Sequence, residues 1–150
     1  LGFVSGGVAR GLICGIAVTA VSLIFSPLNI HSLPVMISMI ILTAILFSLA
    51  GLINAVFAKS FDDISIIPTF VLTPLTYLGG IFYSISMLPG FWQQVSMANP
   101  ILYMINAFRY GFLGVTDISL WASYGISLGF IAALYGISLW LLRTGKGIRT

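Results

Sequence analysis

Charge is what this 150-residue sequence has least of: Asp, Glu, Lys and Arg together make up 6 % of it, against about a quarter in a soluble domain. So few charges cannot cover a globular monomer in water. With 59 % hydrophobic residues and a mean hydropathy of +1.15, the surface has to face lipid. Cysteine is nearly absent, and Cys14 alone excludes a disulfide within the sequence; it reads as a small, inert residue of an apolar segment. Histidine is limited to His31, and one His with one Cys cannot supply the three or four ligands of a metal site. Acids are limited to Asp62, Asp63 and Asp117. The first two are adjacent beside Lys59, and paired catalytic carboxylates would need to face each other across a cleft. An enzyme is therefore not expected. The six cations, Arg10, Lys59, Arg109, Arg143, Lys146 and Arg149, form no stripe or run, which excludes a nucleic-acid surface; they read as the flanks of membrane spans.

Nucleotide loops are missing too. Val4-Ser5-Gly6-Gly7-Val8 imitates the L-S-G-G-Q signature of an ATPase but lacks the Gln, and Thr144-Gly145-Lys146-Gly147 lacks the first Gly of a phosphate loop. No cofactor is expected on this chain. The sequence opens at Leu1 without Met or a charged leader, so the expectation is part of a longer protein with no secretory signal peptide.

What is present is long apolar runs. Four candidate spans cover about 8–26, 33–58, 64–88 and 118–142, each near the ~20 residues that cross a hydrocarbon core. The expected fold class is thus all-α, a polytopic membrane domain over 1–150 with no internal repeat. Pro34 falls in the first turn of the second span, where a missing N–H costs little. Between the third and fourth spans, about 89–116 is apolar but interrupted and aromatic-rich, including Phe91, Trp92, Tyr103 and Phe108, as at a membrane interface. Asn99-Pro100 marks a helix start there, and the following stretch, with Asn106 and Arg109, is too short to span. With four spans, Arg10 (snorkelling toward head groups), Lys59 and the tail cations share one side, and Arg109 stands alone opposite. A fifth span would erase that asymmetry. The positive-inside rule therefore makes 89–116 a re-entrant segment of the outer half and both chain ends cytoplasmic.

Smaller signals assign candidate sites. Gly7, Gly11 and Gly15 form consecutive G-x-x-x-G steps for close helix packing, and Ala44–Ser48 and Gly51–Ala55 offer similar faces. Ser60 with Asp63 resembles a capping box in a cytoplasmic loop with Lys59 and Asp62. Pro68 and Pro74 each remove a backbone donor, and Gly79-Gly80 follow, so this span should be kinked or broken beside protein or a water-filled path. Pro68, Pro74, Tyr77, Gly79 and Gly80 are the candidate conduit. Trp92, Asn99, Pro100, Tyr103 and Arg109 are the candidate outer gate.

Two runs carry a resemblance: Pro74-Leu-Thr-Tyr-Leu-Gly-Gly-Ile-Phe-Tyr-Ser-Ile-Ser-Met-Leu-Pro89, and Asn99-Pro-Ile-Leu-Tyr-Met-Ile-Asn-Ala-Phe-Arg-Tyr-Gly-Phe-Leu-Gly114. With Gly51-Leu-Ile-Asn-Ala-Val-Phe-Ala-Lys-Ser-Phe-Asp-Asp63 and Gly6-Gly-Val-Ala-Arg10-Gly11, their order resembles the permease of ABC-2 type transporters, most of all those of bacterial inner membranes. That resemblance implies the last four of six spans, a pair of short outer helices before the last, and half of a homodimeric exporter. It also implies a separate ABC ATPase as partner, which holds the ATP and Mg²⁺. A secondary transporter and a non-transporting membrane-assembly subunit are the alternatives. For topology, single cysteines at Ser60 and Gly147 in a Cys14→Ser background are expected to react with impermeant thiol reagents from the cytoplasmic side only. Labelling at Gly147 from outside intact cells would rule out four spans.

Overall fold

The computed structural model describes residues 1–27, 29–79, 85–116 and 118–145; Gly80, Asp117, Lys146, Gly147 and Arg149 lie outside them. Among the described residues there is helix and no strand. Three helices among the described residues are long and apolar enough to cross a membrane: α1 (Gly2–Phe25), α2 (Leu33–Phe57) and α7 (Leu120–Thr144). Their apolar residues go all the way round, as suits helices surrounded by lipid and one another. Between α2 and α7 come α3 (Phe61–Ile67), a π-helical turn (Pro68–Leu72), α4 (Thr73–Leu78), a 3₁₀ turn (Ile85–Met87), α5 (Gly90–Met97) and α6 (Pro100–Leu113).

An unbroken helix over 64–88 is not what the described residues form. Helix runs from Phe61 through the π turn to Leu78, and its regular α pieces are α3 and α4. The two prolines account for the interruption, since each withdraws an N–H from the helical ladder. The segment before α7 contains two short helices: α5 follows Pro89, and α6 starts at Pro100. At 1.5 Å per residue α6 is roughly 21 Å long, shorter than a hydrocarbon core.

α1 and α2 are antiparallel. A Cβ added at Gly7 would overlap the Ser48 hydroxyl, one at Gly11 would come within 3.1 Å of Ala44 Cβ, and one at Gly15 would lie 3.9 Å from Ile40. Each turn of the glycine face therefore meets the next turn of α2, and the contact loosens toward Gly15. No residue of α1 is buried, so this seam is what holds it. α1 begins at Gly2, so the first helix extends through Gly6, Gly7 and Arg10, and Arg10 is exposed on it, level with the Ala44–Ser48 stretch of α2.

α6 is the hub. It packs on α2, α7, α4 and α5, and seven of its residues are buried, among them Leu102, Met104, Asn106 and Gly111. Met104 and Ala107 form a core with Met39 and Leu46 of α2; Leu102 and Tyr103 form a second with Leu88, Ile118 and Ile126. From α7, Ser123, Ser127 and Ser138 are buried, small residues that let helix backbones come close, and the Tyr124 hydroxyl bonds to Ser38. Gly111 sets the closest approach of α6 to α2: a Cβ there would stand 3.0 Å from Met36 Cβ and 3.1 Å from its Cα and N. Gly111→Ala therefore presses on backbone that cannot rotate away. It is expected to cost about 1–3 kcal/mol in thermal unfolding of the full-length, detergent-solubilised protein. Gly125→Ala, where a Cβ meets nothing within 4 Å, should be neutral or stabilising by up to about 1 kcal/mol. Equal melting curves for the two variants would contradict this packing.

Candidate functional site

The helix that starts at Phe61 departs furthest from a plain span, and its polar groups are met one by one. At its start the Ser60 hydroxyl accepts from the Asp63 N–H at 3.2 Å. Asp63 Oδ2 accepts from the Ser60 and Lys59 N–H groups at 3.1 and 3.0 Å, which completes a capping box. Asp62 joins Asp63 in the first turn, where carboxylates favour the positive helix end. Pro68 cannot donate to the Ile64 carbonyl. The Asn54 amide of α2 donates to it instead, at 3.0 Å. The backbone then widens: the Thr73 N–H reaches back to the Pro68 carbonyl, to which Thr73 Oγ1 also donates at 3.3 Å.

At the far end of α4 the Gly79 N–H turns to the Thr76 carbonyl at 3.1 Å, so the Leu75 carbonyl is left for another donor. Asn99 Nδ2 fills that role at 2.6 Å. Asn99 is 3 % exposed, and its Oδ1 accepts from the Ile101 N–H at 3.0 Å, so one side chain caps α6 and ties it to α4. Pro100 stands at the first position of α6, where its missing N–H removes an orphan donor. Tyr103 donates its hydroxyl to the Met97 carbonyl at 2.7 Å, closing the corner between α5 and α6. Gly79 is buried against Ile101 and Ile105, whose methyls would lie 3.0 and 2.9 Å from a Cβ there.

The candidate residues thus fall into separate groups. Asn99, Pro100 and Tyr103 meet at the α5–α6 corner, where Asn99 reaches Leu75 of the broken helix, while Gly79 packs on Ile101 and Ile105. Trp92 is exposed and stacks edge-on against Phe91, with ring centroids 5.5 Å apart. Pro68, Pro74 and Tyr77 are exposed on the broken helix. Arg109 lies farther along α6 and faces a different space. That space is a cleft of about 980 Å³ between α1, α2 and α6, and its walls include Arg10, Cys14, Thr43, Ser48 and Met104 as well as Arg109.

Residues 1–113 match the ABC-2 type transporter family. Over 149 residues the chain is 58 % identical to the protein named inner membrane transport permease YadH of Escherichia coli K12, covering 99 % of this chain and 58 % of that one. The chain belongs to the ABC-2 type transporter family. It spans somewhat over half the length of that relative. Nodulation protein J of Rhizobium leguminosarum bv. viciae is 27 % identical over 114 residues, 76 % of this chain and 42 % of that protein. No solved structure matches the chain.

In this ABC-2 chain, sequence reasoning passed over the bond from Asn54 to Ile64 and the cleft shared by Arg10 and Arg109. A lone amide in an apolar run, about two turns before a proline-containing helix, was the available signal for the first. Asn99→Ala removes a buried cap and the donor to Leu75 together and should destabilise the full-length protein by about 1–3 kcal/mol. Asn54→Ala, at a more exposed site, should cost about 0.5–1.5 kcal/mol. Denaturant titration checks the order; a larger loss at Asn54 would reverse the assignment of the tighter clip.

Proposed function

We propose that this chain is part of the permease of an ATP-driven exporter in the bacterial inner membrane. Two copies form the pathway, and separate ABC ATPase subunits bind ATP with Mg²⁺ and drive the permease between two packings. The observation that carries this reading is 58 % identity along 99 % of the chain to a protein named as a transport permease. The broken helix supports it, since irregular backbone within a membrane is tolerated where it lies against protein or water. On this reading there are four spans, the helix from Phe61 crosses as the third, and α5 and α6 dip into the outer half as a re-entrant pair. Both ends of the segment are cytoplasmic. In this arrangement Lys59 and the tail cations oppose Arg109. A secondary transporter driven by protons is less well supported: the acids Asp62 and Asp63 cap a helix start, and arginine stays charged and carries no proton.

The full-length permease should co-purify with an ABC ATPase. Transport by the reconstituted complex should stop with vanadate and survive a proton ionophore. The opposite pattern would make it a secondary transporter, and a stable complex without transport would make it an assembly subunit. Within the exporter, α6 acts as an outer gate. Pro100→Leu, which disturbs the corner above Asn99, and Arg109→Ala should both insert and bind the ATPase, yet transport should fall and ATP hydrolysis lose its coupling to it. Parental transport by Arg109→Ala would reduce that residue to a head-group anchor.

A further inference from the structure

The helix from Phe61 to Leu78 contains a carbonyl that its own backbone cannot serve. Thr73, four residues after Thr69, directs its N–H to the Pro68 carbonyl, and Pro74, five residues after, has no N–H to give. The Thr69 carbonyl thus falls between the α and π patterns and receives a donor from neither. Its hydroxyl is unengaged as well. Those of Ser65, Thr73 and Thr76 bond back to the carbonyls of Phe61, Pro68 and Leu72, whereas that of Thr69 has no partner among the described residues. The direction of Thr69 follows from its neighbours. On the far side of the same helix, Ile64 accepts from Asn54 of α2, Leu75 accepts from Asn99, and Gly79 packs on Ile101 and Ile105 of α6. Ile67 and Val71, each two residues from Thr69 and so about half a turn round, share that side. Ser65, Thr69, Thr73 and Tyr77, spaced by four, run along the other, and all four are exposed.

We infer that this face borders water within the membrane, with the carbonyl and hydroxyl of Thr69 as its hydrogen-bonding points, and that it is the side of the helix turned away from lipid. Lipid tails have no donor for a bare carbonyl, and irregular backbone is tolerated only against protein or water. Water fits better than a second helix. Phe70 and Tyr77, 72 % and 55 % exposed, stand beside Thr69 and one turn beyond Thr73, and side chains of that size hold another backbone away, where close helix contact asks for small residues. The inference rests on the reading that the helix from Phe61 crosses the membrane as a wall of the pathway, and it adds which side of that helix the pathway meets.

The test uses the full-length permease with its ATPase in membrane vesicles, in a background freed of cysteine, Cys14→Ser included. The probe is a small charged methanethiosulfonate, which needs water and a thiolate. Thr69→Cys and Ser65→Cys should react about tenfold or more faster than Ile67→Cys and Val71→Cys, because apolar surroundings raise a thiol pKa by a unit or more. Thr69→Val keeps the shape and removes the hydroxyl. It should leave thermal melting in detergent unchanged, since no bond within the protein is lost, yet slow transport by about three- to tenfold; Thr69→Ser should transport at the parental rate. Equal labelling on both sides of the helix would overturn the inference, as would faster labelling at Ile67 and Val71. A disulfide between two Thr69→Cys copies, with neither Thr69→Cys nor Ser65→Cys open to the reagent, would replace water by a second copy and overturn it too. Labelling as expected with transport that ignores vanadate would keep the water-lined face and end the exporter reading. Unreactive Thr69→Cys and Ser65→Cys with vanadate-sensitive transport would do the reverse.

Discussion

A helix that both begins and ends among apolar side chains has to find partners for its end groups, and the packing of this domain follows from how α6 finds them. The first N–H groups and last carbonyls of any helix lack partners within it, and in lipid each would be expensive to leave bare. At the start of α6, Pro100 has no N–H to satisfy and Asn99 accepts from Ile101. At its end, Gly114 adopts φ 70° and donates to the Tyr110 carbonyl, a left-handed cap that glycine makes without strain. The next two carbonyls are met from outside the helix: Ser32 N–H donates to Gly111 at 2.8 Å and His31 N–H to Phe112 at 3.3 Å. His31 also presents its ring edge to Tyr110, 5.3 Å between centroids. The turn that begins α2 is therefore the cap of α6. Gly111 has to be glycine because those bonds draw α6 onto Met36.

The same accounting covers the broken helix. Pro68 releases the Ile64 carbonyl and the tight end of α4 releases that of Leu75, and two asparagines from different elements take them up. Hydrophobic burial offers little drive between helices in lipid, so association rests on close packing and hydrogen bonds. Here both converge on the segment that the prolines weaken. Three buried serine hydroxyls, of Ser96, Ser127 and Ser138, have no hydrogen-bond partner among the described residues. They lie on α5 and α7, where small size matters more than the hydroxyl.

How much of this could be read from sequence depends on whether a feature is local. The spacing of Ser60 and Asp63 is enough to set a capping box, because both partners lie within one turn. Pro68 and Pro74 disrupt their helix whatever surrounds them, and Asn99-Pro100 starts one. Depth and facing are different. A helix apolar on every side has no periodicity to say which face meets protein, so the cleft that Arg10 lines with Arg109 left no pattern in the sequence. Asn54 looked unremarkable because its partner belongs to another helix and is a backbone carbonyl, invisible in any pattern of side chains. Gly111 stood among many glycines, and only the approach of Met36 distinguishes it.

α6 also joins two regions that the sequence keeps apart. Its first turns hold Asn99, Ile101 and Ile105 against Leu75 and Gly79 of the broken helix, while Met104, Phe108 and Arg109 form one wall of the cleft that contains Arg10. The far end is fixed to α2 by backbone bonds and by the contact at Gly111. α6 therefore sets where the broken helix lies relative to α2 and α7, through Asn99 at its start and Gly111 near its end.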